Sequence, residues 1–180
     1  EGMWAFAVFD EKDGSLLLGR DRFGEKPLYL YRDGTGLYFA SEVKFIVSLL
    51  GRRLEINYSH LYRYLVNGYK ALYKVKDTFF MGVEELPAGH VFIMDEKGKE
   101  EHCRYWQPSF CQDEDMSLEE AVHEAKQTLL KAVQLRLRAD VPLAFCMSGG
   151  IDSNTLISIA KRIFNYDVHG FTIVNTDKRY

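Results

Sequence analysis

The sequence predicts a mixed fold, in which an antiparallel α+β part is followed by the start of a parallel α/β part. Three observations predict it. Short aliphatic and aromatic runs separated by turn residues recur through residues 1–105, which is typical of an antiparallel sheet with a few helices. A polar segment with a proline and several acidic residues then covers residues 107–115. The remainder has the order helix, strand, loop, helix and strand, which is typical of a β-α-β unit.

The strands of the first part are predicted from apolar runs bounded by turns. They cover residues 3–9, 16–20, 29–31, 37–40 and 90–94. Asp33-Gly34-Thr35-Gly36 predicts a hairpin, because its glycines tolerate a positive φ. Two short helices are predicted, one over residues 42–49 with Ser41 as its cap and one over residues 57–66.

The second part is predicted to begin with a long amphipathic helix. Ser117 and Glu120 form the S-x-x-E pattern of a capping box at its start. Its apolar residues recur at helical spacing on one face: Leu118, Ala121, Val122, Ala125, Leu129, Ala132 and Val133. Asp140 and Pro142 are predicted to end this helix. A strand at 143–147, a loop at 148–153, a helix at 154–164 and a strand at 168–174 are predicted to follow.

Composition is typical of a globular protein and not of a disordered one. The 180 residues are 47% hydrophobic and 27% charged, and the net charge of -3 gives no basic surface for nucleic acid or membrane. No apolar run reaches the roughly 20 residues that span a bilayer, and no signal peptide opens the chain, so we expect a cytoplasmic protein. The chain begins inside an apolar run without a methionine and stops after a strand-like segment, so we expect an excerpt of a longer chain.

Cysteine and histidine spacing argues against a disulfide framework and a zinc site. Cys103, Cys111 and Cys146 are odd in number and form no CxxC pair. The histidines show no metal-binding spacing, and we expect His102 beside Cys103 to be an ordinary surface pair.

The most informative segment is Ser148-Gly149-Gly150-Ile151-Asp152-Ser153, between an apolar strand and an amphipathic helix. A helix start presents unpaired N–H groups and a partial positive charge, which together bind anions. Glycines let the backbone approach phosphate oxygens closely, and the two serines add hydroxyl donors. The carboxylate of Asp152 would repel a bare phosphate, so we expect it to bind Mg²⁺.

This loop has two other interpretations. It is not a Walker A loop, because the GxxxxGK[ST] spacing and its lysine are absent, which argues against kinase-like phosphoryl transfer. The simpler alternative is a turn rich in serine and glycine that only caps a helix.

The hexapeptide resembles the pyrophosphate loop of the ATP-pyrophosphatase (N-type) superfamily, and the longer run 138–153 resembles glutamine-hydrolysing asparagine synthetases in particular. Segments upstream are similar to the back half of that family's class II glutaminase domain. They are residues 2–10, 20–29, 39–44 and 86–90.

The resemblance implies the domain organisation and the activity. Residues 1–106 would be the C-terminal part of an antiparallel-sheet (Ntn-type) glutaminase domain, residues 107–116 a linker, and residues 117–180 the start of a parallel α/β synthetase domain with the pyrophosphate loop. An N-terminal cysteine would release ammonia from glutamine, and a tunnel would carry it to the synthetase domain. There ATP and aspartate would form β-aspartyl-AMP and pyrophosphate, and ammonia would displace AMP. The implied cofactors are ATP and Mg²⁺, with glutamine and aspartate as partners; a homodimer is compatible with it.

The resemblance also assigns residues. It gives an ATP- and pyrophosphate-binding role to Ser148, Gly149, Gly150, Ile151, Asp152 and Ser153, and places Cys146 and Ile173 beside the nucleotide. The alternatives are a buried Cys146 that packs as a small apolar residue and an Ile173 that belongs to the core. No catalytic residue is predicted, since the family's nucleophile and glutamine-binding residues lie upstream of residue 1.

A charged group in the first part invites a catalytic interpretation, but we expect a turn and ion-pair network that supports the sheet near the domain interface. Its members are Arg20, Asp21, Arg22, Lys26 and Glu42. Three alternative functions stay open. They are a β-lactam synthetase-like ligase, an amidotransferase of surface-polysaccharide clusters and a non-catalytic remnant.

Overall fold

The computed structural model of the protein describes residues 2–69, 72, 75–112 and 115–174. The chain divides into two compact units, Glu1–Phe110 and Cys111–Tyr180. The predicted domain boundaries at residues 106 and 116 stay a prediction. Over the described residues, no helix has both the length and the apolar character needed to cross a membrane.

Over its described residues, the first unit contains two antiparallel sheets and two α-helices. In chain order, its described elements are β1 (Ala5–Asp10), β2 (Ser15–Arg20), β3 (Tyr29–Asp33), β4 (Gly36–Ala40), α1 (Val43–Leu50), α2 (Tyr58–Asn67), β5 (Val83–Glu85), β6 (His90–Met94) and β7 (Glu100–Arg104). One sheet has the order β1-β2-β6-β7 and the other β4-β3-β5. All their pairings are antiparallel, as predicted, but the strands form two sheets where one was expected.

The predicted hairpin is confirmed. Asp33 pairs with Gly36 at the end of β3 and β4, and the Asp33 carboxylate accepts a hydrogen bond of 2.9 Å from the Thr35 amide. Such a side-chain bond inside a turn holds the backbone in its reversed course.

Two clusters of buried apolar side chains form the core of the first unit. The larger cluster contains Leu16, Leu18, Leu28, Leu30, Leu86 and Phe92, and the smaller contains Ile46, Leu54 and Val83. Alternate residues of β2 point into the larger cluster, as the period of two in a strand requires.

The helices of the first unit differ at their caps. Asn57 caps α2, because its side chain accepts a 3.1 Å bond from the His60 amide. The prediction that Ser41 caps α1 is wrong. Glu42 occupies the cap position in extended backbone and makes no side-chain capping bond.

The second unit contains α3 (Leu118–Arg136), β8 (Ala144–Cys146), α4 (Ile151–Arg162) and β9 (His169–Phe171). The capping box of Ser117 and Glu120 is confirmed, with both reciprocal bonds present. The helix α3 ends at Arg136, earlier than Asp140 and Pro142 predict. The strands β8 and β9 are parallel, which confirms the predicted β-α-β order.

Candidate functional site

The candidate loop is shorter than predicted. The strand β8 ends at Cys146 and α4 begins at Ile151, three residues before the predicted helix start. The reason is that Gly150 adopts extended backbone and serves as the N-cap, so that Ile151, Asp152 and Ser153 already form the first helical turn. The segment predicted to bind an anion is therefore a loop plus a helix start.

Gly149 gives the loop its sharp bend. Its φ is +79°, in the left-handed region that favours glycine, and a Cβ built there would have no heavy atom within 4 Å. A Cβ on Gly150 would meet the Ser148 hydroxyl at 3.4 Å, which is ordinary contact. The backbone thus requires glycine at 149, and the space around both positions is open to a ligand.

The two serines of the loop meet each other. The hydroxyl oxygens of Ser148 and Ser153 lie 3.1 Å apart, and the Ser153 hydroxyl donates to the Gly150 carbonyl at 3.1 Å. The Gly150 amide donates to the Ser148 hydroxyl at 3.4 Å. Asn154, which sequence reasoning missed, donates its side-chain amide to the Gly149 carbonyl at 3.4 Å. A hydrogen-bonding residue one turn inside a helix is the signal that could have identified it.

Asp152 lies in the first turn of α4, where a carboxylate suits the positive end of the helix dipole. Its side chain is exposed. Within the described ranges, no group of three or more His, Cys, Asp or Glu residues could hold a metal ion. A divalent cation at Asp152 would thus need most of its oxygen ligands from phosphate and water, which is how Mg²⁺ is usually held beside a nucleotide.

Cys146 and Ile173 lie at the same edge of the small parallel sheet as the loop. Cys146 is the last residue of β8 and is in register with Phe171, the last residue of β9; Ile173 follows two residues later. Both Cys146 and Ile173 are exposed in this chain, Ile173 by 98%, and their placement beside a nucleotide stays a prediction. The carboxyl edge of parallel strands is where α/β proteins bind ligands.

The charged network of the first unit is structural, as predicted, but smaller. Arg20 donates to the carbonyls of Lys26 (2.8 Å), Leu86 (2.6 Å) and Gly24 (2.7 Å), and pairs with Glu85 at 2.8 Å. It therefore links β2, which belongs to one sheet, to the end of β5, which belongs to the other.

Asp21 is buried, and its carboxylate accepts bonds from the amides of Trp4, Phe23, Glu25 and Lys26. Burial alone would raise the pKa of Asp21, but these amides together outweigh it and lower the pKa below its ordinary value.

Within the described residues, the side chains of three of the five charged residues take no part in the network around Arg20 and Asp21. Lys26 takes part through its backbone, and Glu42 forms a surface pair with Lys44 at 2.7 Å. No hydrogen bond or ion pair links the side chain of Arg22 to this network in the part of the chain that the structure describes. The prediction is therefore wrong for the side chains of these three residues.

The three cysteines are free, as the odd count predicts. Cys103 donates to the Glu101 carboxylate at 3.1 Å, which raises the pKa of its thiol. His102 packs edge-on against Phe92, with ring centroids 5.0 Å apart. A thiol with a raised pKa is less ionised at neutral pH and is therefore a weaker nucleophile.

Comparison with known sequences assigns the larger unit. The profile of the glutamine amidotransferase domain matches residues 1–106. This chain belongs to the glutamine amidotransferase family. The asparagine synthase profile matches residues 124–180.

Relatives of this glutamine amidotransferase family member align with both the amidotransferase part and the asparagine synthase part of the chain. A provisionally named glutamine-hydrolyzing asparagine synthetase 2 of Methanocaldococcus jannaschii is 33% identical over 178 residues, which are 96% of this chain and 33% of that protein. Glutamine-hydrolyzing asparagine synthetase 3 of Bacillus subtilis is 30% identical, over 88% of this chain and 25% of its own. The amidase chry2 of Gibberella zeae is 33% identical, over 90% of this chain and 24% of its own.

The predicted resemblance to glutamine-hydrolysing asparagine synthetases is confirmed. The chain spans a third or less of the length of these relatives. Among solved structures, the glutamine phosphoribosylpyrophosphate amidotransferase of B. subtilis aligns with 100% of this chain and 35% of its own, at 15% identity and a TM-score of 0.37, which is too low to establish a shared fold.

Proposed function

We propose that the protein carrying this chain makes asparagine from aspartate, ATP and glutamine through a β-aspartyl-AMP intermediate. The observation that carries the proposal is the order of parts on one chain. A glutamine amidotransferase domain over residues 1–106 is followed by the Ser148–Ser153 segment inside the asparagine synthase match. The first part would supply ammonia, and the second would activate the acceptor carboxylate.

The loop would bind the pyrophosphate of ATP. Gly150 caps α4 without a side-chain bond, so the cap leaves the amides at the helix start available to a phosphate oxygen. The hydroxyls of Ser148 and Ser153 are 3.1 Å apart and can turn from each other toward the ligand. These donors would stabilise the negative charge that builds on the leaving pyrophosphate when the aspartate carboxylate attacks the α-phosphorus.

Asp152 would bind Mg²⁺ beside the phosphates. Its exposed carboxylate stands in the first turn of the same helix, where it would otherwise repel the phosphate. The ion, when bound, would offset phosphate charge, and Asp152 would supply one oxygen ligand. Cys146 and Ile173 would lie beside the nucleotide, because both are exposed at the carboxyl edge that carries the loop.

The remaining features are proposals of the same kind. The second unit would be the start of an ATP-pyrophosphatase domain, with boundaries at residues 1–106, 107–116 and 117–180. We also expect a cytoplasmic enzyme with small-molecule substrates, without nucleic-acid or membrane partners, and a homodimer stays a prediction.

A different acceptor is the second candidate. It would keep the same nucleotide chemistry but join nitrogen to another carboxylate. The observation that favours it is that the amidase chry2 of G. zeae matches this chain at the same 33% identity as the M. jannaschii protein. The residues described here hold the phosphate side of the site, which both candidates share.

The test uses the full-length protein with ATP, Mg²⁺ and labelled glutamine. We expect AMP, pyrophosphate and asparagine in equal amounts when aspartate is the acceptor. ATP–pyrophosphate exchange that requires a carboxylate other than aspartate would support the second candidate. Glutamate release without any pyrophosphate formation would contradict both.

A further inference from the structure

Asn154 holds two successive carbonyl groups of the candidate loop. Its backbone amide donates to the Gly150 carbonyl at 3.1 Å, which is the first bond of α4. Its side-chain amide donates to the Gly149 carbonyl at 3.4 Å. The residue is exposed, so its side chain acts on the loop through this bond and not through packing in the core. One residue of the helix therefore sets the direction of both glycine carbonyls.

The peptide group between Gly149 and Gly150 is held at both of its ends. Its carbonyl accepts from the Asn154 side chain, and its amide donates to the Ser148 hydroxyl at 3.4 Å. Gly149 has a φ of +79°, and Gly150 has a φ of -76°. Because neither residue has a Cβ, this peptide group can turn over by about 180° at small steric cost. Such a rotation exchanges the positions of the carbonyl oxygen and the amide.

The rotated peptide group would change the electrostatics of the loop. The Gly149 carbonyl would then point to where the Gly150 amide now lies, beside the Ser148 hydroxyl. That hydroxyl, one of the two proposed to bind phosphate, would donate to the carbonyl instead. A carbonyl oxygen carries partial negative charge and repels a phosphate, whereas an amide attracts it. The bond from Asn154 therefore favours the orientation that suits an anion.

We propose that Asn154 is a positioning residue that keeps the loop in its anion-binding conformation by restraining the peptide group between Gly149 and Gly150. The inference rests on the proposed function, because it needs ATP and pyrophosphate to bind at this loop. When only a fraction of the protein has the competent conformation, the apparent dissociation constant rises in inverse proportion to that fraction. Loss of the Asn154 bond therefore weakens the binding of ATP and pyrophosphate and leaves the turnover of bound ATP nearly unchanged.

The experiment measures ATP–pyrophosphate exchange in the full-length protein with Asn154→Ala, Gly150→Ala and the double variant. Gly150→Ala disfavours the rotated peptide group, which needs a positive φ at residue 150, and its Cβ would meet the Ser148 hydroxyl at 3.4 Å, an ordinary contact. Thr155→Val is the matched control, since the Thr155 hydroxyl also donates to a backbone carbonyl, that of Ile151 at 2.7 Å. The quantities compared are kcat and the KM values for ATP and for pyrophosphate.

For Asn154→Ala we expect both KM values to rise by about two- to tenfold, the range that loss of one hydrogen bond allows, while kcat stays within about twofold. In the Gly150→Ala background, the same substitution should change the KM values by less than about twofold, because alanine at 150 already opposes the rotation. Thr155→Val should match the unmodified protein in kcat and in both KM values.

Three results would overturn the inference while the proposed function stands. They are unchanged KM values in Asn154→Ala, a fall of kcat at unchanged KM, which a purely structural role produces, and an equal rise of KM in both backgrounds. Should Gly150→Ala alone abolish exchange, the division between KM and kcat in Asn154→Ala decides. An unmodified protein without any carboxylate-dependent exchange would contradict the proposed function, and this inference with it.

Discussion

The two units bury their apolar side chains to very different degrees. The first unit has two buried clusters built around side chains such as Leu18, Ile46 and Phe92. In the described part of the second unit, only Val133 and Ala160 are buried apolar residues, and Phe171 is 65% exposed. A parallel sheet normally has both faces covered by helices, and the two strands β8 and β9 with α4 cannot supply that cover.

The two units are therefore stabilised in different ways. In the first unit, burial of apolar surface and the Arg20–Asp21 network specify the packing. In the second, local signals such as the capping box and the glycine bend specify the elements, and the open faces leave their packing to further contacts. Substitutions should therefore be costly in the first unit and mild in the second, except where they reach the loop.

The largest effect is expected for Phe92→Ala. Phe92 is 2% exposed in the larger cluster, and its removal should lower the free energy of opening of β6 and β7 by about 3–5 kcal/mol. Phe171→Ala in the second unit should cost below about 1 kcal/mol in the 180-residue chain, where Phe171 is 65% exposed. Hydrogen exchange of peptides from each unit of the 180-residue chain measures both. Equal free-energy costs of Phe92→Ala and Phe171→Ala would contradict the difference between the two units.

Asp21→Ala should cost about 1–3 kcal/mol, because it leaves four part-buried amide bonds without their acceptor. Asp33→Ala, which also removes a turn carboxylate of the first unit but a partly exposed one, with 21% of its side chain accessible, is the matched control and should cost under about 1 kcal/mol. The folded-state pKa of Asp21 is lowered, so its stabilisation is present above the unfolded value of about 3.9 and is lost as pH falls through the folded value. Urea unfolding at pH 7 and pH 3 measures the cost of both substitutions. The costs of Asp21→Ala and Asp33→Ala should differ less at pH 3 than at pH 7.

Ser117→Ala tests the local signals that specify the second unit. It removes the hydroxyl that accepts from the Glu120 amide in the capping box and should destabilise α3 by about 1 kcal/mol. Ser59→Ala, in the first turn of α2 but not at its cap, is the control. Faster amide exchange confined to the first turns of α3 is the expected result, and exchange unchanged from the unmodified protein would contradict it.

The smallest effect is expected at His60, which is 2% exposed and packs edge-on against Phe79. Burial, then the nearby Arg63, lowers the pKa of His60, and Asp77 opposes the shift. The unfolded state then binds a proton more readily than the folded state, so stability falls as pH drops from the unfolded value of about 6.5 toward the lower folded value. Thermal unfolding between pH 7.5 and 5.5 should vary less with pH in His60→Gln than in the unmodified protein.

Sequence patterns predicted those elements that their own residues specify. The hairpin at Asp33–Gly36, the strand β6 and the capping box of α3 are confirmed, because turn chemistry, apolar alternation and the S-x-x-E spacing are local signals. The strands β5 and β7 were missed. Glu100–Arg104 is polar throughout and forms a strand because it pairs with β6 at the edge of the sheet, which no local pattern reveals.

The sequence predicted where the candidate loop lies in the fold but not its backbone geometry. The loop does lie between a parallel strand and a helix, as expected. The extended backbone of Gly150 and the bond between Asn154 and the Gly149 carbonyl depend on how the chain bends at Gly149, and residue type alone does not determine that. The binding roles of the loop residues stay predictions.

We propose that the loop of the second unit binds pyrophosphate through its own donors and a cation at Asp152, independently of the first unit. The most direct measurement is aspartate-dependent ATP–pyrophosphate exchange in Asp152→Ala, with Asp167→Ala, another exposed aspartate of the second unit, as the control. We predict that Asp152→Ala loses exchange and keeps glutamate release, while Asp167→Ala keeps both. Normal ATP–pyrophosphate exchange in Asp152→Ala would contradict the proposed role of Asp152 in binding a cation beside pyrophosphate.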